Sequence, residues 1–228
     1  YTEMLLDEDA GPLTEEQRKY LLTIESSNQR AIDLVRSLLN VSRLELGTFS
    51  ITPTEVLVTE IVEEILAGLS KEIVTKNLIV TKEYQDTLPK ISLDRKLCFI
   101  IIKSILTNAI SYTKDGGVIT VQCNLATQGS IIGGRVIKEE SVVVSVTDTG
   151  IGIPSEEQSK VFSKMFKASN SKESNGQGSG LALYIAKTIA EHTEGDVWFI
   201  SEEGKGSTFC CAFPTCGVSK KEGTTTLD

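Results

Sequence analysis

With 228 residues, 40% of them hydrophobic, the chain can bury one or two cores. Its 31 acidic residues outweigh 23 basic ones, for a net charge of −8, and no basic patch is visible; general nucleic-acid binding is excluded, though a locally positive phosphate pocket is not. No apolar run approaches the roughly 18 residues of a membrane span and no signal peptide is visible, so no membrane contact is expected of this stretch.

Residues 1–8 read as the tail of a helix that Asp7 through Pro12 break, and a chain opening inside a helix is expected to be a piece of a longer one. Thr14 can cap the next helix, with Gln17 three residues on as its capping-box partner. Residues 15–46 then carry one long helical pattern. Ile24, Ala31, Leu34, Leu38 and Val41 recur at helical spacings, and Leu21, Val35 and Leu39 widen the stripe beyond a single strict seam. Little else in a small protein could cover it, so a homodimer through residues 1–46 is the economical solution. Gly47 ends the helix.

Residues 54–74 read as an amphipathic helix and 78–83 as a strand, with a connection at 88–92. Asp94 can cap a helix running to Tyr112. Asp115, Gly116 and Gly117 form a turn before a strand at 118–125. Residues 126–138 read as a loop or hairpin tip, 140–148 as a valine-filled strand and 155–161 as a short helix. Phe162 and Phe166 follow on one face. Residues 167–180 have almost nothing to bury and read as a mobile lid. A helix at 181–193, two strands at 196–201 and 207–213 paired across a glycine turn, and a frayed tail from Pro214 onward complete the pattern. The fold class is an all-α helical hairpin followed by an α/β sandwich with helices on one face of a mixed sheet. Cys98, Cys123, Cys210, Cys211 and Cys216 are odd in number and lack zinc spacing, which fits reduced thiols in a cytoplasmic compartment.

Chemistry concentrates in residues 145–154, SVTDTGIGIP, where a strand runs into a glycine turn. Asp148 at its end can accept from a ligand amine, or cap its own turn. Gly150 and Gly152 let the backbone lie against a flat ligand. Further glycines cluster at 176–180 and 204–206. Asn108 stands in an apolar helical run, where it is either a satisfied core amide or a ligand to a charged partner.

Together these residues resemble the cytoplasmic core of the sensor histidine kinases of two-component systems, over about residues 1–213. Ser42, Arg43, Leu44, Glu45 and Gly47 resemble the end of that family's second dimerisation helix. Residues 106–109 with Tyr112 and Thr113 resemble its N box. Asp148 through Ile153 match its first glycine box, Phe162 and Phe166 its phenylalanine box, Gly178 through Leu183 its second glycine box and residues 204–209 its third.

The resemblance implies a partial dimerisation and histidine-phosphotransfer hairpin at 1–48, forming a dimeric four-helix bundle, and a catalytic ATP-binding domain at 54–214. Residues 215–228 are left as a flexible tail. It implies that Asp148 receives the adenine amine of ATP or ADP, that Asn108, helped by Ser104, holds Mg²⁺, and that Tyr112 lines the site. Gly150, Gly152, Ile153 and Phe166 belong to the same nucleotide site. Gly178, Ser179, Gly180 and Leu181 close over the phosphates, and Ser207 lies near the adenine. A response-regulator receiver domain is the implied partner, and transfer of the γ-phosphoryl group to a histidine the implied reaction.

Three positions depart from the family pattern. Ser104 stands where a second asparagine is usual, Ser111 where a basic residue is usual, and Ala182 replaces a glycine. Lys103 or Lys114 could substitute for the missing charge, although Lys103 points about 100° away from Ser104 on an ideal helix. The sole histidine, His192, lies at the end of the last helix and is not expected to be the phosphoacceptor, which the resemblance puts before Tyr1. These departures keep a second reading open, a degenerate kinase core acting as a dimeric scaffold. Another ATPase of the same superfamily fits less well, because of the long helix ending in SRLE.

Overall fold

The computed structural model describes residues 1–9, 11–172 and 179–227. Part of the expected lid, including Gly176 and Gly178, therefore lies outside the described residues.

A short helix α1 (Thr2–Leu6) folds back on the long helix α2 (Glu15–Glu45), about 46 Å at 1.5 Å per residue. Thr14 accepts from the Gln17 N–H while the Gln17 side chain accepts from the Thr14 N–H, so two orphan amides are satisfied at once. Most of the apolar stripe is exposed in the single chain: Ile24, Leu34, Val35, Leu38 and Leu39 all face solvent. Only Asn40, Val41 and Leu44 are buried, where the end of α2 meets the second half of the molecule.

That second half is a sandwich. The expected helix at 54–74 resolves into a strand β1 (Thr54–Val56), α3 (Val58–Gly68) and α4 (Ser70–Thr75). Thr54, Glu55 and Val56 pair antiparallel with β3 (Ile91–Leu93), a strand where a plain connection was expected. Both are three residues long, too short to show a period.

The central sheet has five strands in the order β2 (Ile79–Tyr84), β4 (Val118–Ala126), β7 (Ser141–Asp148), β9 (Gly206–Pro214) and β8 (Asp196–Glu202). The first pair is parallel and the others antiparallel. Helices α3, α5 (Arg95–Tyr112) and α6 (Ala182–His192) cover one face, and the apolar residues between them form the core. Asp148 pairs with Ile119 and with Ser207, so the acidic group sits at the end of the central strand.

Two regions depart from expectation. Within the expected hairpin tip, β5 (Ile131–Ile132) and β6 (Arg135–Val136) form a small hairpin over the other face of the sheet. It covers a second apolar cluster of Ala126, Ile137, Val143, Trp198, Cys210 and Ala212, and the Trp198 indole N–H donates to the Ile132 carbonyl. Residues 215–227 are no frayed tail. Ser50 and Ile51 donate to the carbonyls of Thr225 and Lys221, and the Arg43 guanidinium donates to that of Thr226. Val218 and Leu227 are buried, and Lys221 lies over the Phe49 ring at 4.6 Å. The segment is polar apart from these few residues, so its docking has no periodic signature in sequence.

Candidate nucleotide site

Helix α5 supplies the first wall. Asp94 starts it by accepting from the N–H groups of Lys96 and Leu97, and its apolar face is locked into the core. This points Ser104, Thr107, Asn108, Ser111 and Tyr112 into a cavity of about 220 Å³. The opposite walls are Ile151, Gly152 and Ile153 from the turn after β7, Val161 through Ser171 in part, and Ser179, Gly180, Ala182 and Leu183. Of the residues expected at the site, the cavity gathers Ser104, Asn108, Tyr112, Gly152, Ile153, Phe166, Ser179 and Gly180.

Asp148, Gly150, Leu181 and Ser207 lie outside its wall. Asp148 takes the turn-cap geometry: Oδ1 accepts from the Gly150 N–H at 2.8 Å, and the Ser207 N–H also donates to the carboxylate. At 5% exposure the charge is poorly solvated, and burial pushes the pKa up to about 6 against the pull of those two amides. Asp148 and Ser207 line a shallow groove at the strand ends instead. Leu181 is a core residue.

The glycines have reasons internal to the fold. A Cβ on Gly150 would meet the Tyr112 carbonyl oxygen at 2.5 Å. One on Gly152, at φ +63°, would meet the Glu202 carbonyl oxygen at 2.0 Å. Their first role is to let the turn press against α5 and β8, which sets the width of the cavity.

The Asn108 side chain has no hydrogen-bond partner among the described residues, so its amide is available to a ligand. The Ser104 hydroxyl donates to the Ile100 carbonyl at 2.7 Å, which fixes it and leaves only its lone pairs. Lys103 lies over the Phe99 ring and Lys114 lines an adjoining trough, so neither stands on the cavity wall. The cation on the wall among the described residues is Lys167, just after Phe166. Sequence reasoning missed it by treating residues 167–180 as lid without asking which charge they carry. It also missed Asn170, whose Nδ2 donates to the Gly152 carbonyl and whose buried Oδ1 has no partner among the described residues. Burial raises the pKa of the Tyr112 phenol, opposed by a hydrogen bond with Ser171.

Cationic Lys167, the unpaired Asn108 amide and the orphaned Asn170 oxygen suit a ligand with both anionic and donor groups. Among the described residues no cluster of three or more His, Cys, Asp or Glu side chains could hold a metal ion by itself. His192 is remote from this wall; its ring meets Phe49 edge to face at 5.3 Å.

Fold and cavity thus define an α/β sandwich that takes its ligand between a helix and a glycine turn. The family model described as "Histidine kinase-, DNA gyrase B-, and HSP90-like ATPase" matches residues 93–216, and the chain belongs to that family. A second model, "His Kinase A (phospho-acceptor) domain", matches residues 1–47, which contain no histidine. The cell-division control histidine kinase PdhS of Brucella abortus is 26% identical over 228 residues, covering 96% of this chain and 21% of that protein. The circadian input-output histidine kinase CikA of Synechococcus elongatus is 27% identical over 207 residues, 90% of this chain and 26% of that protein. The chain therefore spans about a fifth to a quarter of the length of these relatives.

Among solved structures, full-length ShkA in complex with AMPPNP superposes with a TM-score of 0.74 at 21% identity, over 96% of this chain and 43% of that one. The histidine kinase ThkA in complex with the response regulator protein TrrA gives 0.67 at 21%, over 94% of this chain and 57% of that one. These likenesses show the fold, a helical hairpin joined to a histidine-kinase-type sandwich.

Proposed function

We propose that the chain is the catalytic core of a two-component sensor histidine kinase, which binds Mg-ATP and passes its γ-phosphoryl group to a histidine outside these residues. The observation that carries this is the cavity, whose wall holds both the Asn108 amide and Lys167, together with a buried carboxylate at the end of the central strand. Asp148 accepts the adenine amine, with Ser207 beside it. Tyr112, Ile153 and Phe166 flank the base, and Gly150, Gly152 and Leu181 hold the turns around it. Lys167 and the backbone at 179–180 face the phosphates. Asn108, with Ser104 in support, would hold Mg²⁺, which would supply neutralisation of phosphate charge. The protein's own share of catalysis is positioning and charge neutralisation.

The receiving imidazole would come from a histidine-bearing segment of the first dimerisation helix, and onward transfer would go to an aspartate of a response regulator. ThkA's complex with TrrA supports that class of partner. The exposed stripe of α2 supports a homodimer. Five unpaired cysteines support a reducing, cytoplasmic compartment, and no described helix is long and apolar enough to cross a membrane.

Calorimetry with Mg-ATP tests the reading. We expect binding in the micromolar to submillimolar range, weakened at least roughly tenfold in Asp148→Asn, in line with losing a charged hydrogen-bond partner. Folded protein that takes up no nucleotide would instead favour the scaffold reading. One observation leans that way: Ser111 brings no charge to the wall.

A further inference from the structure

The last turns of helix α5 wall the nucleotide cavity, and the carbonyls from Ala109 to the cap residue Thr113 must find donors at or beyond the helix end. The Ala109 carbonyl accepts from the N–H and hydroxyl of Thr113. The Tyr112 carbonyl accepts from the Ile151 N–H at 3.3 Å, which ties the helix to the glycine turn. The other three, those of Ile110, Ser111 and Thr113, all accept from one group, the Lys76 ammonium, at 2.7, 3.0 and 2.6 Å. An ammonium has three protons, and here each has a carbonyl. Its charge also sits at the negative end of the α5 dipole.

The backbone of Lys76 is fixed as well. It caps α4 just before Asn77, which turns left-handed at φ +50°, and its carbonyl accepts from the Gly116 N–H at 2.9 Å. Burial lowers the Lys76 pKa, with Asp115 opposing the shift.

We propose that Lys76 is a positioning residue for the nucleotide: by tying off the end of α5 it fixes the wall that carries Asn108 and Tyr112, and through Tyr112 the turn at Ile151. Lys76 does not itself line the cavity bounded by Asn108, and reaches that wall through the backbone of the helix end, the Ser111 carbonyl included. The inference rests on the nucleotide reading above and deepens it.

The test is Mg-ATP calorimetry on the full 228-residue chain, with thermal midpoints measured alongside. Lys76→Met leaves three carbonyls without donors, and its affinity is expected to fall about tenfold. Lys76→Arg, which returns charge and N–H donors, is expected to recover at least threefold of that. Ile137→Ala, in the cluster on the far face of the sheet, controls for a general loss of stability and should bind as the wild type does. A wild-type chain that binds no ATP overturns the nucleotide reading. A wild-type chain that binds, with Lys76→Met binding equally well, overturns the role of Lys76 alone. So does an equal loss in Ile137→Ala. Should Lys76→Met fail to fold, Lys76→Gln takes its place; about threefold weaker binding supports the inference and unchanged binding overturns it.

Discussion

The Asp148 carboxyl is buried, anchored by two amides, and raised to about 6. Between pH 6 and 4 the folded chain therefore holds a proton that the unfolded chain has released. This group's contribution to stability grows as pH falls through that window and is lost as pH rises through about 6. The rise from the ordinary carboxyl value of 3.8 to about 6 corresponds to something on the order of 3 kcal/mol. Asp148→Asn keeps an oxygen for the Gly150 amide and removes the buried charge. Its thermal midpoint at pH 7 is expected to exceed that of the wild type, and a lower midpoint would contradict the burial argument. ATP affinity in the wild type is expected to fall as pH drops from 7 to 5, because a protonated acid is a poorer acceptor for the adenine amine. In Asp148→Asn it should be flat. Gly152 makes the opposite case, a residue whose side chain cannot be added. At φ +63° and with the Glu202 carbonyl oxygen 2.0 Å from any Cβ, Gly152→Ala is expected to cost about 3 kcal/mol in urea unfolding, with or without nucleotide.

At the level of elements, the segment 215–227 works as a strap. It holds the linker between α2 and β1 through Ser50, Ile51 and Arg43, and helps enclose Phe49, which is fully buried. Leu227→Ala is expected to lower stability by about 2 kcal/mol, near the lower end for a buried leucine, because the strap lies at the rim of the core. Removal of residues 215–228 should lower the thermal midpoint further. A truncated chain as stable as the intact one would show that the docking carries no free energy. Near the same junction, Glu45 at the end of α2 accepts from Tyr184 of α6 at 3.3 Å and pairs with Lys164, so the helix end is held against the sandwich by charge as well as by Leu44 and Val41. Lys164 and Glu45 are both about half exposed, so the apolar contacts dominate this junction.

At the level of the whole molecule, the apolar stripe of α2 is the largest unsatisfied feature. Ile24, Leu34, Val35, Leu38 and Leu39 are each 38–55% exposed in the single chain, a row that a second copy would cover. A Val35→Glu, Leu38→Glu double variant is expected to sediment as a monomer under conditions where the wild type sediments as a dimer. Its sandwich, and hence its ATP affinity, should be unchanged, since neither residue belongs to the core or the cavity.

Much of this molecule was legible in its residues alone. Long periodic runs gave α2, α5 and α6, because burying one face imposes a repeat that the chain must spell out. Valine density and the DTGIG turn gave β7 and the place of Asp148. Short elements were not legible. β1 and β3 have three residues each, and the strap is polar; both exist because of partners distant in the chain, which leave no local pattern. The cavity wall divides the same way. Asn108, Tyr112 and the glycines could be named from motif spacing, since their chemistry is fixed by residue type. Among the described residues the cation on that wall is Lys167 rather than Lys103 or Lys114, and the clamp on α5 is Lys76. Those choices depend on where long flexible side chains land once the core has closed, and only tertiary packing determines that.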